Sequence, residues 1–288
     1  MNDQERITTL NNILKACRLC PRACLVDRTE GQRGACQIGY TPLVASAAAH
    51  FGEEPPLVGN GGSGAIFFAG CNLACLFCQN HDISQNTAGQ PCTPHQLAHL
   101  ACDLADQGCV NINFVSPTHV AHAVAEAIVI ARNKGLSLPT VYNSGGYDSV
   151  ETLRLLKGLI DIYMPDFKYD TDQAGRTYSG APCYPKVASA ALKEMFRQVG
   201  PLQVNEKGLA TKGLLVRHLV MPTNIVDSNA VIDIVARLAP GSTINIMAQY
   251  HPAYHARQFP QLLQPPSPQT VQNARDYARQ RGLVVLAP

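Results

Sequence analysis

The stretch AIFFAGCNLACLFCQN, residues 65 to 80, decides how the rest of the chain is read. Its opening AIFFAG is apolar and rich in β-formers, the pattern of a strand buried on both faces. The remainder places Cys71, Cys75 and Cys78 close together. Three thiols directly after a buried strand stand where parallel α/β proteins carry their chemistry, outside the carboxyl ends of the strands.

Downstream, strand and helix patterns alternate. TPHQLAHLACDLADQG (93–108) predicts a helix with Thr93 as N-cap, Pro94 at its first position and Gly108 as a stop. NINFVS (111–116) predicts a strand, THVAHAVAEAIVIARNKG (118–135) a helix and LPTVYN (138–143) a strand. SVETLRLLKG (149–158), VASAALKEMFRQVG (187–200), NAVIDIVARLAPG (229–241) and SPQTVQNARDYARQRG (267–282) predict further helices. LIDIYMPDFK (159–168), GLLVRHLVMP (213–222) and STINIMAQY (242–250) are the strands between them. This rhythm implies right-handed crossovers and a parallel sheet. The expected fold is α/β, a partial (β/α)6 TIM-like barrel over residues 61–288 that follows a cysteine-rich metal-binding segment at residues 1–60.

Composition narrows the function classes. With 23 Lys+Arg against 21 Asp+Glu the formal charge is +2, and no basic run stands out, so electrostatic capture of nucleic acid is not indicated. No apolar run approaches the roughly 18 residues that span a bilayer, and MNDQERITTLNNILKA is too polar for a secretion signal. A cytoplasmic protein without membrane contact is expected. Eleven cysteines in such a chain point to metal binding or catalysis, because a reducing compartment disfavours structural disulfides. Cys92, Cys102, Cys109 and Cys183 are scattered and read as small buried hydrophobes. The other seven form two groups.

A [4Fe-4S] cluster takes four cysteines, so a loop with three leaves one iron open for chemistry. Zinc with a distant fourth ligand is the alternative. The C-x3-C-x2-C spacing, with Phe77 before the last cysteine, resembles the signature of the radical S-adenosylmethionine (SAM) superfamily. GCNLACLFCQN is similar to the cysteine loop of glycyl-radical-enzyme activases of the pyruvate formate-lyase activating type. The resemblance covers about residues 62–255. It implies a [4Fe-4S] cluster on Cys71, Cys75 and Cys78, SAM as cofactor, and reductive cleavage to a 5′-deoxyadenosyl radical that abstracts hydrogen. It further implies an oxidoreductase with an electron donor such as flavodoxin or ferredoxin, and a protein or peptide substrate carrying a glycyl or other reacting residue.

The same resemblance assigns cofactor-binding residues. Asn143 and Ser144 in VYNSGGY match a strand-end turn of the activases. Met164, Asp166 and Lys168 in YMPDFK match their Met-x-Asp-x-Lys, which implies a monovalent cation near Asp166 and a lysine facing SAM. Arg217 in VRHLVMP is the implied carboxylate partner, and His251 in QYHP the implied nucleoside contact. Where the activases have a Gly-Gly-Glu-like turn, this chain has VSPTH: Pro117 lacks an N–H, His119 stands in place of the acid, and Ser116 and Thr118 are left to supply hydroxyl contacts. The residues alone leave other readings open. Asp166 and Lys168 share a strand face and can simply pair, and His251 can cap a strand. His119 and His122 read as helix surface, and GNGGSG (59–64) as a flexible entry to the first strand.

The second cysteine group, Cys17, Cys20, Cys24 and Cys36, has four thiols and can close its own site. Structural zinc and a fully ligated second Fe-S cluster both suit it, with the metal acting as a staple for a segment too small to hold a core. Besides an activase-type enzyme, the sequence admits a radical enzyme acting on a small metabolite or RNA, and a metal-binding scaffold without turnover.

Overall fold

The computed structural model describes residues 1–222 and 225–287. Its strands are β1 (Leu43–His50), β2 (Ser63–Phe68), β3 (Gln90–Pro91), β4 (Ile112–Val115), β5 (Thr140–Ser144), β6 (Ile162–Pro165), β7 (Gln203–Val204), β8 (Ala210–Leu219), β9 (Thr243–Met247) and β10 (Val284–Val285). The sheet runs β10-β9-β8-β6-β5-β4-β2-β1-β3, with β7 attached to β8. From β2 to β10 every neighbouring pair is parallel. β1 adds an antiparallel edge on β2, and β3 pairs antiparallel with β1. The two ends of this order do not pair, so the barrel is open, as the strand–helix rhythm predicts.

The helices are α1 (Asp3–Ile13), α2 (Pro55–Val58), α3 (His81–Ser84), α4 (Pro94–Asp106), α5 (Ala121–Asn133), α6 (Val150–Leu155), α7 (Asp172–Ser179), α8 (Tyr184–Val199), α9 (Ser228–Leu238) and α10 (Pro268–Gln280). Their ends are set by local chemistry. Thr93 caps α4 in a reciprocal box with Gln96, and Ser267 accepts from the Thr270 N–H to open α10. Asp227 does the same for α9 through the N–H groups of Asn229 and Ala230. α4 packs on α5, α8 on both α6 and α9, and α9 on α10, covering the outer face of the sheet. α1, unforeseen in the sequence, lies against α5 and α6 and ties the N-terminal cysteines to the same core through Leu10, Ile13 and Leu14.

Two expectations from the sequence are corrected here. His119 and His122 are not helix surface: they are 1% and 2% exposed. Nε2 of His119 meets the Ala69 carbonyl at 2.9 Å, and Nε2 of His122 meets the Tyr40 carbonyl at 3.0 Å. The N-terminal segment covers this end of α5 and supplies the Tyr40 carbonyl, with α1 and α4 packed alongside the helix. The GNGGSG run is not a loose entry either, since a Cβ on Gly61 would fall 1.8 Å from the Gly108 carbonyl oxygen.

Candidate active site

The inner face of the sheet encloses a cavity of about 770 Å³. Cys71, Cys75, Phe77 and Cys78 enter it from the loop after β2, Ser116 from the end of β4, Asn143 and Ser144 from β5, Asp166 and Lys168 from the end of β6, and Arg217 from β8. Fold alone brings these together, because each follows or ends a parallel strand. The three thiols are held by their surroundings. The Leu73 N–H points at Cys71 Sγ (3.4 Å), the Ser179 hydroxyl lies 2.8 Å from Cys75 Sγ, and the Ser84 hydroxyl 3.2 Å from Cys78 Sγ. Burial, reinforced by Cys75 and Cys78, pushes the Cys71 thiol up to about 12. Stable thiolates here therefore call for metal, which displaces the protons. The donor set fits an iron–sulfur cluster: three soft sulfurs on one loop, hydroxyl and amide donors aimed at them, and no further cysteine lining the cavity.

The other assigned residues divide. Asp166 and Lys168 pair at 2.5 Å, the bland reading of their spacing. Burial pulls the Lys168 ammonium down, but the Asp166 carboxylate beside it more than offsets this and holds it above the usual lysine range. Ser144 donates to Asp148 Oδ2 and at the same time accepts from the Gly146 N–H, which shapes the turn after β5. Ser116 adopts a left-handed φ of +58°, and its N–H donates to the Asn143 carbonyl, turning the chain sharply as it leaves β4. His251 is exposed at the rim, with Nδ1 3.2 Å from Gln79 Nε2.

Three assignments depart from the sequence reading. Thr118 turns away from the cavity, donating to Asp148 at 2.7 Å in a buried cluster with Tyr142 and Ser144. Met164 is fully buried among Leu57, Val141, Ile162, Ala210 and Leu215, so it packs the base of the barrel. Arg217 does face the cavity, but its guanidinium is already engaged by Glu53 and Glu54, the latter at 2.5 and 2.6 Å. A buried arginine needs an anion, and the hairpin loop between β1 and β2 supplies two. His119 likewise does not stand in for an acid, because its ring lies behind the cysteine loop and outside the cavity lining.

Sequence reading missed Glu53, Glu54, Asn245 and Arg275. Asn245 donates to Glu54 at 2.8 Å, and Asn113 donates to Glu53 at 3.1 Å, so a charged cluster forms the cavity floor. The signal was the paired acids of GEEPP, which a solvated loop would explain equally well. Cys17, Cys20, Cys24 and Cys36 gather separately, around a small pocket shared with Arg28 and His119.

A family model described as a 4Fe-4S single cluster domain matches residues 57–174, the span that contains the cysteine loop and strands β2 to β6. A radical SAM methyltransferase from Sphaerobacter thermophilus shares the fold, with a TM-score of 0.52 at 12% identity over 78% of this chain and 66% of its own. The chain shares this fold, and the span matched by the 4Fe-4S single cluster domain holds its cysteine loop. Among its relatives is the uncharacterized protein MJ0674 of Methanocaldococcus jannaschii, 30% identical over 96% of this chain and 78% of that protein, and the two belong to one family. The uncharacterized protein MJ0808 of the same organism is 26% identical over 93% of this chain and 78% of its own length. No helix among the described residues is long and apolar enough to cross a membrane.

Proposed function

We propose that this protein is a radical SAM enzyme of the activase type that abstracts hydrogen from a residue of a protein or peptide. The observation that carries the reading is the cysteine loop at the open end of the sheet, where three thiols and no fourth face a broad cavity. When bound there, the cluster and SAM supply one-electron reduction of a sulfonium and, from it, a carbon radical able to take hydrogen. The chain's own residues hold and shield this chemistry. Cys71, Cys75 and Cys78 ligate the cluster, with Ser179 and Ser84 hydrogen-bonding two of the sulfurs. Asp166, held against Lys168, puts a carboxylate among the cavity's polar walls, where it favours a sulfonium or a monovalent cation beside it. Asn143, Ser144 and Ser116 offer polar groups at the strand ends, and Phe77, packed on Tyr250, excludes water from the sulfurs.

A polypeptide substrate suits the size and openness of the site. Its volume lies in the upper part of the roughly 300–1,000 Å³ range of small-molecule pockets, which leaves room beside a cofactor. Arg275 favours a second reading, a small anionic substrate. Its guanidinium lines the cavity, its Nε is buried without a partner, and its Nη2 reaches only the Ile246 carbonyl among the described residues.

The test is anaerobic incubation of the cluster-loaded, dithionite-reduced protein with SAM, followed by chromatography for methionine and 5′-deoxyadenosine. Both products are expected, and their absence from protein with a full, reducible cluster would overturn the radical mechanism. Deuterium passing into 5′-deoxyadenosine from a glycine-labelled polypeptide, rather than from small anionic metabolites, separates the two substrate readings.

A further inference from the structure

Two sulfurs of the cysteine loop each end a hydrogen-bond chain that starts on a side chain outside the cavity lining. Ser179, the last residue of α7, places its Oγ 2.8 Å from Cys75 Sγ and 2.6 Å from Tyr169 Oη. Ser179 and Tyr169 are both 0% exposed, and among the described residues neither hydroxyl has a further partner. On the other side of the loop, Ser84 Oγ lies 3.2 Å from Cys78 Sγ and accepts from Gln85 Nε2 at 3.2 Å. Gln85 Nε2 also donates to the Leu73 carbonyl at 3.2 Å, which fixes the end of the amide that faces the loop.

The direction of these bonds follows from the sulfurs. A thiolate bound to iron carries no proton and only accepts, so the Ser179 proton goes to Cys75. A hydroxyl has one proton to give, and the contact with Tyr169 therefore runs the other way, from the phenol to Ser179. Burial pushes the Tyr169 phenol well above the usual tyrosine range, so it keeps the proton it donates. A donor that itself accepts a hydrogen bond is polarised and bonds more strongly to the group beyond it. Such bonds favour the more negative, reduced state of an iron–sulfur cluster, which raises its reduction potential. We propose that Tyr169 and Gln85 are positioning residues that act through Ser179 and Ser84 to raise the potential of a cluster on Cys71, Cys75 and Cys78. The inference rests on the cluster reading of that loop.

The backbone keeps the longer chain in line. The Ala74 N–H donates to the Ser179 carbonyl at 3.0 Å and the Leu76 N–H to the Tyr178 carbonyl at 2.9 Å, so the end of α7 grips the loop on both sides of Cys75. The Tyr169 ring is held edge-on against Tyr184, with centroids 5.2 Å apart. Cys71 has a backbone donor, the Leu73 N–H, in place of a side-chain chain.

The full chain, reconstituted anaerobically with iron and sulfide, is titrated potentiometrically, following the cluster whose electron paramagnetic resonance signal responds to SAM. Tyr169→Phe removes one buried hydroxyl and leaves Ser179 and every ligand in place. It should keep the iron and sulfide content and shift the midpoint to a more negative potential. Ser179→Ala removes the whole chain and should shift it further, on the order of a tenfold change in the reduction equilibrium, or about 59 mV for one electron. Gln85→Leu should shift it in the same direction. Tyr163→Phe removes a buried hydroxyl bonded to Gln198 and should leave the midpoint at the wild-type value. Tyr169→Phe protein with a full cluster and a wild-type midpoint overturns the relay, as does an equal shift in Tyr163→Phe. Wild-type protein that takes up no iron and sulfide overturns the cluster reading and the relay with it.

Discussion

Gly70 links the two cysteine groups, and replacing it by alanine measures that contact. Its φ is +76°, and a Cβ there would fall 2.6 Å from the Cys36 carbonyl oxygen and 2.6 Å from Ile38 Cγ1. Holding an alanine in the left-handed region costs about 1–2 kcal/mol, and overpacking against a fixed backbone adds about 1–3 kcal/mol. Gly70→Ala should therefore destabilise by about 2–5 kcal/mol, a large share of the roughly 5–15 kcal/mol that holds a domain folded. Each kcal/mol moves the unfolding midpoint of a chain this long by about 2–3 °C, so a fall of roughly 4–15 °C is expected. Gly31→Ala isolates the backbone component, because Gly31 has a φ of +80° with nothing within 4 Å of its missing Cβ. That variant should lose only the left-handed cost. Anaerobic thermal melts followed by circular dichroism give both numbers. A Gly70→Ala midpoint within about 2 °C of Gly31→Ala would refute the back-to-back packing of the N-terminal segment on the catalytic loop.

Replacing Cys71, Cys75 or Cys78 by alanine should abolish SAM cleavage, read as loss of 5′-deoxyadenosine from reduced protein. Asp166→Asn leaves the iron content unchanged and should weaken SAM binding about tenfold or more by equilibrium dialysis; unchanged affinity would leave Asp166 only its pairing with Lys168. Cys20→Ala with Cys24→Ala should lower the melting temperature while the triplet cluster keeps its spectral response to SAM; loss of that response in a folded variant would mean the two groups share ligands. Burial pushes His122 down to about 3 and His218 to about 4, below the roughly 6.5 of an unfolded chain. Stability should then be complete above pH 6.5 and fall as the pH drops toward 4, by about 1.4 kcal/mol per pH unit for each histidine. His122→Gln should remove about one proton from that acid slope in denaturation titrations, and an unaltered slope would show that His122 does not contribute to it.

The strands that carry the site were legible because each is a short apolar run with a clear stop, and the start of α4 because Thr93 sits directly before Pro94. β1 escaped because LVASAAAH is alanine-rich and becomes a strand only through pairing with β2. α7 escaped because DQAGRTYS holds few apolar residues to set a helical period. Within the site, cysteine spacing carried most of the reading, since thiols have few other reasons to cluster. What the sequence hid was tertiary partnership. Arg217 meets Glu53 and Glu54 from more than 160 positions away, and His119 and His122 are buried by a segment that local periodicity ignores.

The open edge of the sheet has a consequence for how a large substrate reaches the centre. Between β2 and β9 no backbone ladder closes the barrel, and side chains bridge the gap at two levels. Near the floor Glu54 meets Asn245, and near the mouth Gln79 meets the Gln249 carbonyl and His251. Such a seam opens by breaking side-chain contacts, of which the buried Arg217 pairs to Glu53 and Glu54 are the strongest, while every strand pairing stays intact. If the substrate is the polypeptide proposed above, it would be laid in sideways, one residue lowered toward the sulfurs and both flanking arms left outside, without an end being threaded through the pore.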